Sequence, residues 1–106
     1  MTMTRFDLND EKGYAARRDE IDNAILSLLA EGEKTPHEIG IALRGIGIGN
    51  AQSDDKLEIA YSMTGAIQRS AINSLRRRGM IYDTCDTAMR AGGKPQLPYR
   101  ISRVGA

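Results

Sequence analysis

The sequence predicts a small α+β domain that is mainly helical. Three observations support this: an apolar stripe at helical spacing, a second segment that opens with helix-capping residues, and a third helical segment followed by two β-type runs around a Gly/Pro loop. The chain has 106 residues, of which 41% are apolar and 27% charged, values typical of one folded globular domain.

The first helix is predicted from about Tyr14 to Glu31. Its apolar residues recur at intervals of three and four, and Gly32 suits the helix C-cap. Residues 1–13 are mostly polar and are interpreted as a flexible N-terminal tail, so the domain proper is placed at 14–106. The stripe consists of Ile21, Ala24, Ile25, Leu28 and Leu29.

A short second helix is predicted to begin after Thr35 and to end at Gly45. The Thr35 hydroxyl can cap the free amides, Pro36 suits the first helical position, and Glu38 completes a capping box. The apolar face of this helix consists of Ile39, Ala42 and Leu43.

The segment from Gly45 to Tyr61 contains three alternating glycines and a polar stretch, and it is interpreted as a flexible connector. A dinucleotide-binding loop is not favoured, because that pattern needs a glycine where Asn50 stands and a strand before it. Residues 57–64 fit a short strand, or a helix with Leu57, Ala60, Tyr61 and Thr64 on one face, and the pattern leaves both open.

A third helix is predicted from Ser62 or Thr64 to Arg78, with Gly79 as its C-cap. Two strands are expected after it, at 80–85 and around 99–101, joined by a hairpin loop. The buried stripe of the helix consists of Ile67, Ala71, Ile72 and Leu75.

The end of the third helix and the hairpin carry a family resemblance. The motif Ala71-Ile72-x-x-Leu75-x-x-x-Gly79-Met80-Ile81 and the segment Gly93-Lys94-Pro95-x-x-Pro98-Tyr99-Arg100-Ile101 resemble the winged helix-turn-helix family of DNA-binding domains. The resemblance covers roughly residues 21–102, in separate pieces. It implies a winged helix, with a three-helix core, a small antiparallel β-hairpin wing, and a third helix that lies in the major groove.

Two features depart from the family pattern. Gly45 to Tyr61 separate the second and third helices, which the family usually joins by a few residues. Position 68 is usually apolar, but here it is Gln68, with Ile67 beside it. The register of the third helix is therefore open by one residue.

Charge is distributed unevenly along the chain. Residues 1–60 hold seven basic and twelve acidic residues, whereas residues 61–106 hold eight basic and two acidic ones, which favours a polyanion partner for the second part. Arginine can pair with guanine, and Asn or Gln with adenine, although the same side chains also suit a solvated helix face. The candidate DNA contacts are Thr64, Gln68, Arg69, Asn73, Arg76 and Arg77 on the third helix, and Arg90, Lys94 and Arg100 around the hairpin loop.

The predicted function is sequence-specific binding of double-stranded DNA by a transcriptional regulator. A homodimer is expected, joined through the first helix or the tail, because one half-site buries modest surface. The alternative is a winged-helix module that binds another protein and no DNA. Basic side chains converging on one face favour DNA, whereas an acidic first helix covering that face favours the alternative.

Several other classes are not expected. His37 and Cys85 are the single histidine and cysteine, which cannot form a structural zinc site, and His37 has no nucleophile in its sequence context, so neither an enzyme nor a cofactor is predicted. The apolar runs are too short for a membrane span, and the N-terminus lacks the apolar region of a secretory signal. One cysteine fits a reducing compartment, so a cytoplasmic location is expected.

Overall fold

Helices dominate the structure, a computed structural model that describes residues 10–84 and 100–105. The predicted α+β class, mainly helical with a small antiparallel sheet, is confirmed. The predicted hairpin loop and Cys85 lie outside the described residues. The elements are α1 (Glu11–Ala16), α2 (Arg18–Leu29), α3 (Pro36–Gly45), α4 (Lys56–Ala60), α5 (Met63–Arg77), β1 (Ile81–Thr84) and β2 (Arg100–Arg103).

The first predicted helix is in fact two helices, separated at Arg17. The first of them, α1, begins at Glu11, inside the segment expected to be a tail, so that boundary is wrong. The cause is local: the Asp10 carboxylate accepts a hydrogen bond from the Gly13 amide at 3.0 Å and caps the helix. The Asp10 amide also donates to the Ala66 carbonyl at 3.2 Å, which ties α1 to α5.

The predicted apolar stripe of α2 is confirmed, since Ile21, Ile25 and Leu29 are each at most 1% exposed. Helix α3 begins with the predicted capping box. The Thr35 hydroxyl accepts from the Glu38 amide at 3.2 Å, and a Glu38 carboxylate oxygen accepts from the Thr35 amide at 2.8 Å. Both helices therefore follow the sequence pattern because their signals are local.

The segment between α3 and α5 is not a free connector. Ile48 is 2% exposed and belongs to the core, and residues 56–60 form helix α4 rather than a strand. The buried residue of α4 is Ile59, which packs against two glycines. A larger residue would not fit at either position, because a Cβ at Gly40 would lie 2.7 Å from Ile59 Cγ2 and a Cβ at Gly65 would clash with the Ile59 carbonyl. The helical face expected from the sequence is therefore wrong, and Leu57 and Tyr61 are 64% and 82% exposed.

The two strands pair antiparallel, with Ile81 opposite Arg103 and Thr84 opposite Arg100. A single bridge joins Lys34, ahead of α3, to Ile101 on β2. The core lies mainly among α2, α3 and α5, and one isoleucine from each strand, Ile81 and Ile101, closes it. No helix in 10–84 or 100–105 has both the length and the apolar character needed to cross a membrane.

Candidate nucleic-acid interface

Most of α5 is enclosed by neighbouring elements. Residues 64–68, 70–72, 74 and 75 are buried. Beyond Met63 at its start, the side chains that are at least partly exposed are Arg69, Asn73, Arg76 and Arg77, and the last three follow Arg69 by four, seven and eight residues. Because an α-helix repeats every 3.6 residues, these four residues share one side of α5, which we call the α5 stripe.

Two of the predicted contact residues do not face outward. Thr64 is fully buried: its hydroxyl donates to the Ile48 carbonyl at 2.7 Å and accepts from the Ala51 amide at 3.0 Å. Gln68 is 5% exposed, and its side-chain amide donates to the Pro36 carbonyl at 3.1 Å. The expectation that both project toward a partner is wrong, because the 45–61 segment and the start of α3 cover this part of α5.

The same enclosure explains why the sequence left the register of this helix open by one residue. Ile67 is 7% exposed and joins the core together with Tyr14 of α1. Gln68 is buried on another side, against α3. Both neighbouring positions are internal, so an apolar stripe with a single register does not describe this helix.

Arg69 lies near the middle of α5, as the first residue of the α5 stripe, and is held by α4. One of its terminal nitrogens, Nη1, donates to the Ala60 carbonyl at 3.0 Å. Partial burial lowers the pKa of Arg69, because removal from water disfavours the charged form. An arginine remains protonated in proteins despite such a shift, so this side chain presents a partly desolvated cation.

Arg76 is oriented by two side chains. Its Nη1 donates to Asn73 Oδ1 at 3.0 Å, and its Nη2 forms an ion pair with Asp83 Oδ1 at 2.9 Å. Asp83 lies on β1 and offsets part of the charge of the stripe. Asp83 therefore both holds the Arg76 side chain in place and offsets part of its positive charge.

Arg77 is exposed and lines a groove between α1 and α5, with a volume of about 370 Å³. Within the described part of the chain, no acidic side chain lies within ion-pair distance of it.

Arg100 is on β2, where its Nε lies 3.8 Å from a carboxylate oxygen of Glu33. Arg90 and Lys94, the predicted contacts of the hairpin loop, lie outside the described residues.

Arg78, which follows Arg77 in the chain, has a different role from the residues of the α5 stripe. Its Nη2 donates to the Tyr14 hydroxyl at 2.9 Å and to Asp22 Oδ2 at 2.8 Å, and the Tyr14 hydroxyl donates to Asp22 Oδ1 at 2.7 Å. The hydrogen bond to Asp22 raises the pKa of Arg78. We call these three residues the Asp22 network, which ties the end of α5 to α1 and α2.

A cleft of about 460 Å³ opens beside the α5 stripe, between the start of α3, α4 and α5. Among the described residues, its floor is mainly apolar, its rim carries lysine and arginine side chains, and no lining side chain is a carboxylate. The floor is formed by Pro36, Ile59, Ala60 and Ile72, and the rim by His37, Lys56, Arg69 and Arg76.

Sequence reasoning missed two of the rim side chains, His37 and Lys56. His37 Nε2 lies 2.8 Å from the Asp54 carbonyl, so the loop before α4 holds the ring in place. The rim combines three elements that are distant in sequence, and no linear pattern marks it. The one available signal was the capping box, which placed His37 in the first turn of α3.

Within the described residues, no group of three or more His, Cys, Asp or Glu side chains is placed to hold a metal ion. No protein-family model, curated protein or solved structure matches this chain. Its function is therefore inferred from the fold, the α5 stripe and the adjoining cleft.

Proposed function

We propose that this chain binds double-stranded DNA as a small winged-helix protein, with the α5 stripe as its main contact surface. The observation that carries the proposal is the stripe itself, in which Arg69, Asn73, Arg76 and Arg77 lie on the outer side of a helix that is otherwise mostly buried. A major groove is wide enough to admit one α-helix, and arginine and asparagine are side chains that hydrogen-bond base edges there.

The way α5 is held supports the proposal, because base recognition needs a helix in a fixed position. The Ser62 side chain caps its first turn, and internal hydrogen bonds from Thr64 and Gln68 fasten it to the neighbouring segments. The buried polar residues thus hold α5 in a fixed position, and the α5 stripe lies on its outer side.

The position of the acidic residues also favours DNA over the alternative. In helix α2, Asp22 pairs with Arg78, and Glu20 pairs with Arg17 at 2.7 Å. No α2 residue lines the cleft beside the stripe. The acidic helix therefore engages cations other than those of the stripe, instead of covering the basic face.

The roles follow from the chemistry of each side chain. Arg69 and Arg76 suit guanine edges or phosphates, Asn73 suits adenine, and Arg77 at the helix end suits a phosphate. A regulator built this way would act as a homodimer on two half-sites, since one module buries modest surface. Sedimentation of the chain with and without a selected duplex measures that stoichiometry.

The test is fluorescence anisotropy with a labelled random duplex of about 20 base pairs at roughly 50 mM salt. We expect saturable binding with a log–log salt slope of about −3 per monomer, from about 0.9 for each of three neutralised phosphates. Arg69→Ala should weaken binding by about 1–3 kcal/mol on a selected site and reduce sequence preference.

Arg103→Ala is the matched control. It removes the same charge, but Arg103 donates to the Leu26 carbonyl of α2 at 3.4 Å, on a different part of the molecule. We expect it to change the affinity less than about twofold at equal salt. Equal losses in both variants would show that net charge, and not the stripe, governs binding.

One observation favours the alternative, a protein-interaction module. Leu57, Tyr61 and Met63 are 64%, 82% and 44% exposed, and they cluster in sequence around α4 and the start of α5. Exposed apolar groups of this kind mark protein contacts when they form a patch. Absence of duplex binding at low salt would reject the DNA proposal and leave this surface as the leading candidate.

A further inference from the structure

We infer that a groove beside α4 is a docking site for a protein segment that presents an arginine next to apolar side chains. The groove has a volume of about 560 Å³, and we call it the α4 groove. The residues that line it include Leu57 and Tyr61, whose side chains are exposed, and the carboxylates Asp55 and Glu58. The inference concerns a protein partner and does not need the chain to bind DNA.

The packing of α4 holds the apolar part of the groove toward the outside. Ile59, at the centre of this helix, is buried against Gly40 and Gly65. Because successive helical residues are about 100° apart, the positions two before and two after Ile59 lie on the opposite side of α4. These positions are Leu57 and Tyr61, which are four residues apart and therefore neighbours on the helix surface. The fold thus presents two adjacent apolar side chains outward, an arrangement that marks protein contacts.

Two carboxylates give the groove its charge. Asp55 Oδ2 accepts hydrogen bonds from the amides of Leu57 and Glu58, each at 3.1 Å, and caps α4. Glu58 Oε2 accepts from the Gln52 amide at 2.9 Å. These bonds orient both side chains, and the second oxygen of each carboxylate takes no part in them. An ionised carboxylate has about four acceptor positions, so both groups can also accept N–H donors from a partner.

The combination of charge and apolar surface selects arginine as the partner's side chain. A guanidinium donates to a carboxylate in a bidentate manner, and it also stacks on the face of a tyrosine ring such as that of Tyr61. A lysine ammonium is a strongly hydrated point charge and lacks this planar geometry. Apolar neighbours of the arginine would bury against Leu57. The carboxylates repel a phosphate backbone, so the groove does not continue the proposed duplex interface.

The α4 groove is distinct from the cleft beside the α5 stripe, because different residues of α4 line the two. The cleft is lined by Lys56, Ile59 and Ala60, and the groove by Leu57, Glu58 and Tyr61. One side of this short helix therefore adjoins the basic side chains of the cleft, and the other side adjoins the carboxylates of the groove.

The direct test is a titration of the full chain with three short peptides, in which backbone amide shifts are followed by NMR. The peptides are acetyl-Leu-Arg-Leu-amide and two analogues in which citrulline or glutamate replaces the arginine. Citrulline keeps the shape of arginine without its charge. We expect saturable shifts around the α4 groove for the arginine peptide, and an affinity about tenfold lower for the citrulline peptide. The glutamate peptide should produce no saturable shifts, because like charges repel.

Two variants locate the site. Tyr61→Ala removes the stacking surface and should weaken binding of the arginine peptide about fivefold. Asp55→Asn combined with Glu58→Gln removes both charges and should weaken binding about tenfold. The amide oxygens of this double variant can still cap α4 and accept from the Gln52 amide, so the fold is preserved.

Two matched controls carry the same changes elsewhere. Tyr82→Ala removes an exposed tyrosine from β1, and Glu20→Gln removes one negative charge from α2. Each should leave the affinity for the arginine peptide within about twofold of wild type. Far-UV circular dichroism and melting establish that every variant is folded.

Each outcome decides the proposal. Preference for the arginine peptide, with losses in Tyr61→Ala and in the double variant, supports it. Equal affinity for the arginine and citrulline peptides would overturn it, because the carboxylates would then play no part. Equal losses in Tyr61→Ala and Tyr82→Ala, or an absence of saturable shifts around the groove, would overturn it as well. None of these measurements contains DNA, so failure of one proposal does not imply failure of the other.

Discussion

Arg76 and Arg78 are two residues apart in the chain, yet they belong to regions of opposite character. Arg78 bonds to Asp22 in the Asp22 network, and that carboxylate is 11% exposed. Arg76 lines the cleft and pairs with Asp83, which is 40% exposed. Successive residues of a helix are about 100° apart, so a run of arginines does not form one basic patch. The comparison separates cations that bond to a largely buried carboxylate from cations that lie at the edge of the cleft.

The two regions differ in how their charges are satisfied. In the Asp22 network, one carboxylate accepts hydrogen bonds from Tyr14, which lies 8 residues before it, and from Arg78, which lies 56 residues after it. At the cleft, Arg69 donates to the Ala60 carbonyl, and Arg76 donates to Asn73 and pairs with the exposed Asp83. We therefore expect substitutions in the first region to change stability, and substitutions in the second to change binding.

The largest effect is expected from the core side of α5, which supports both regions. Leu75 is fully buried, and Leu75→Ala should lower the free energy of unfolding by about 2–5 kcal/mol, measured by chemical denaturation. Ile72→Ala should cost a similar amount, since Ile72 is 3% exposed. Arg77→Ala is the control on the outer side, with a change within about 0.5 kcal/mol. Unchanged stability in both core variants would mean that α5 is packed in another register.

The Asp22 network is tested next. Arg78→Ala leaves the Asp22 carboxylate largely buried with one strong partner fewer, and we expect a loss of about 1–2 kcal/mol, moderated because Arg78 is itself one-third exposed. A double-mutant cycle with Tyr14→Phe should show coupling, since both side chains bond to the same carboxylate. Additive losses, combined with a drop in duplex affinity as large as that of Arg69→Ala, would erase the distinction between the regions.

The capping box of α3 holds one wall of the cleft, and it predicts a pH dependence. The backbone N–H of Thr35 lowers the pKa of Glu38 by bonding to its ionised form. The ionised group therefore stabilises the fold above its ordinary pKa, and this contribution disappears as the pH falls through the lowered value. Thr35→Ala should cost about 1 kcal/mol. Glu38→Gln should flatten the acid side of the stability–pH curve, and an unaltered curve would contradict this account.

These cases show which parts of the structure the sequence could predict. The capping box, the α2 stripe and the strands were predictable because their determinants lie within a few residues of one another. The burial of Thr64 and Gln68 was not, because it depends on the fold of the 45–61 segment over α5. The break at Arg17 has no glycine or proline to mark it.

The candidate site was predictable only in part, for the same reason. Of the six predicted contacts on this helix, Thr64 and Gln68 are buried, whereas Arg69, Asn73, Arg76 and Arg77 share one side of α5. The cleft was invisible in the sequence, because its floor and rim come from three elements. Tertiary contacts, and not local patterns, decide which polar side chains face a partner.

The smallest stability effect, and the sharpest comparison, is expected at Asp83. Its ion pair with Arg76 is exposed on both sides, so Asp83→Asn should change the free energy of unfolding by less than about 0.5 kcal/mol. The same change removes the acidic partner of Arg76 on β1, and duplex affinity should rise about two- to threefold at low salt and converge with wild type at high salt. Glu20→Gln is the matched control, since it removes one negative charge beside Arg17 on α2. Equal gains in both variants would reflect net charge alone, and weaker binding by Asp83→Asn would mean that Asp83 positions Arg76 more than it neutralises it.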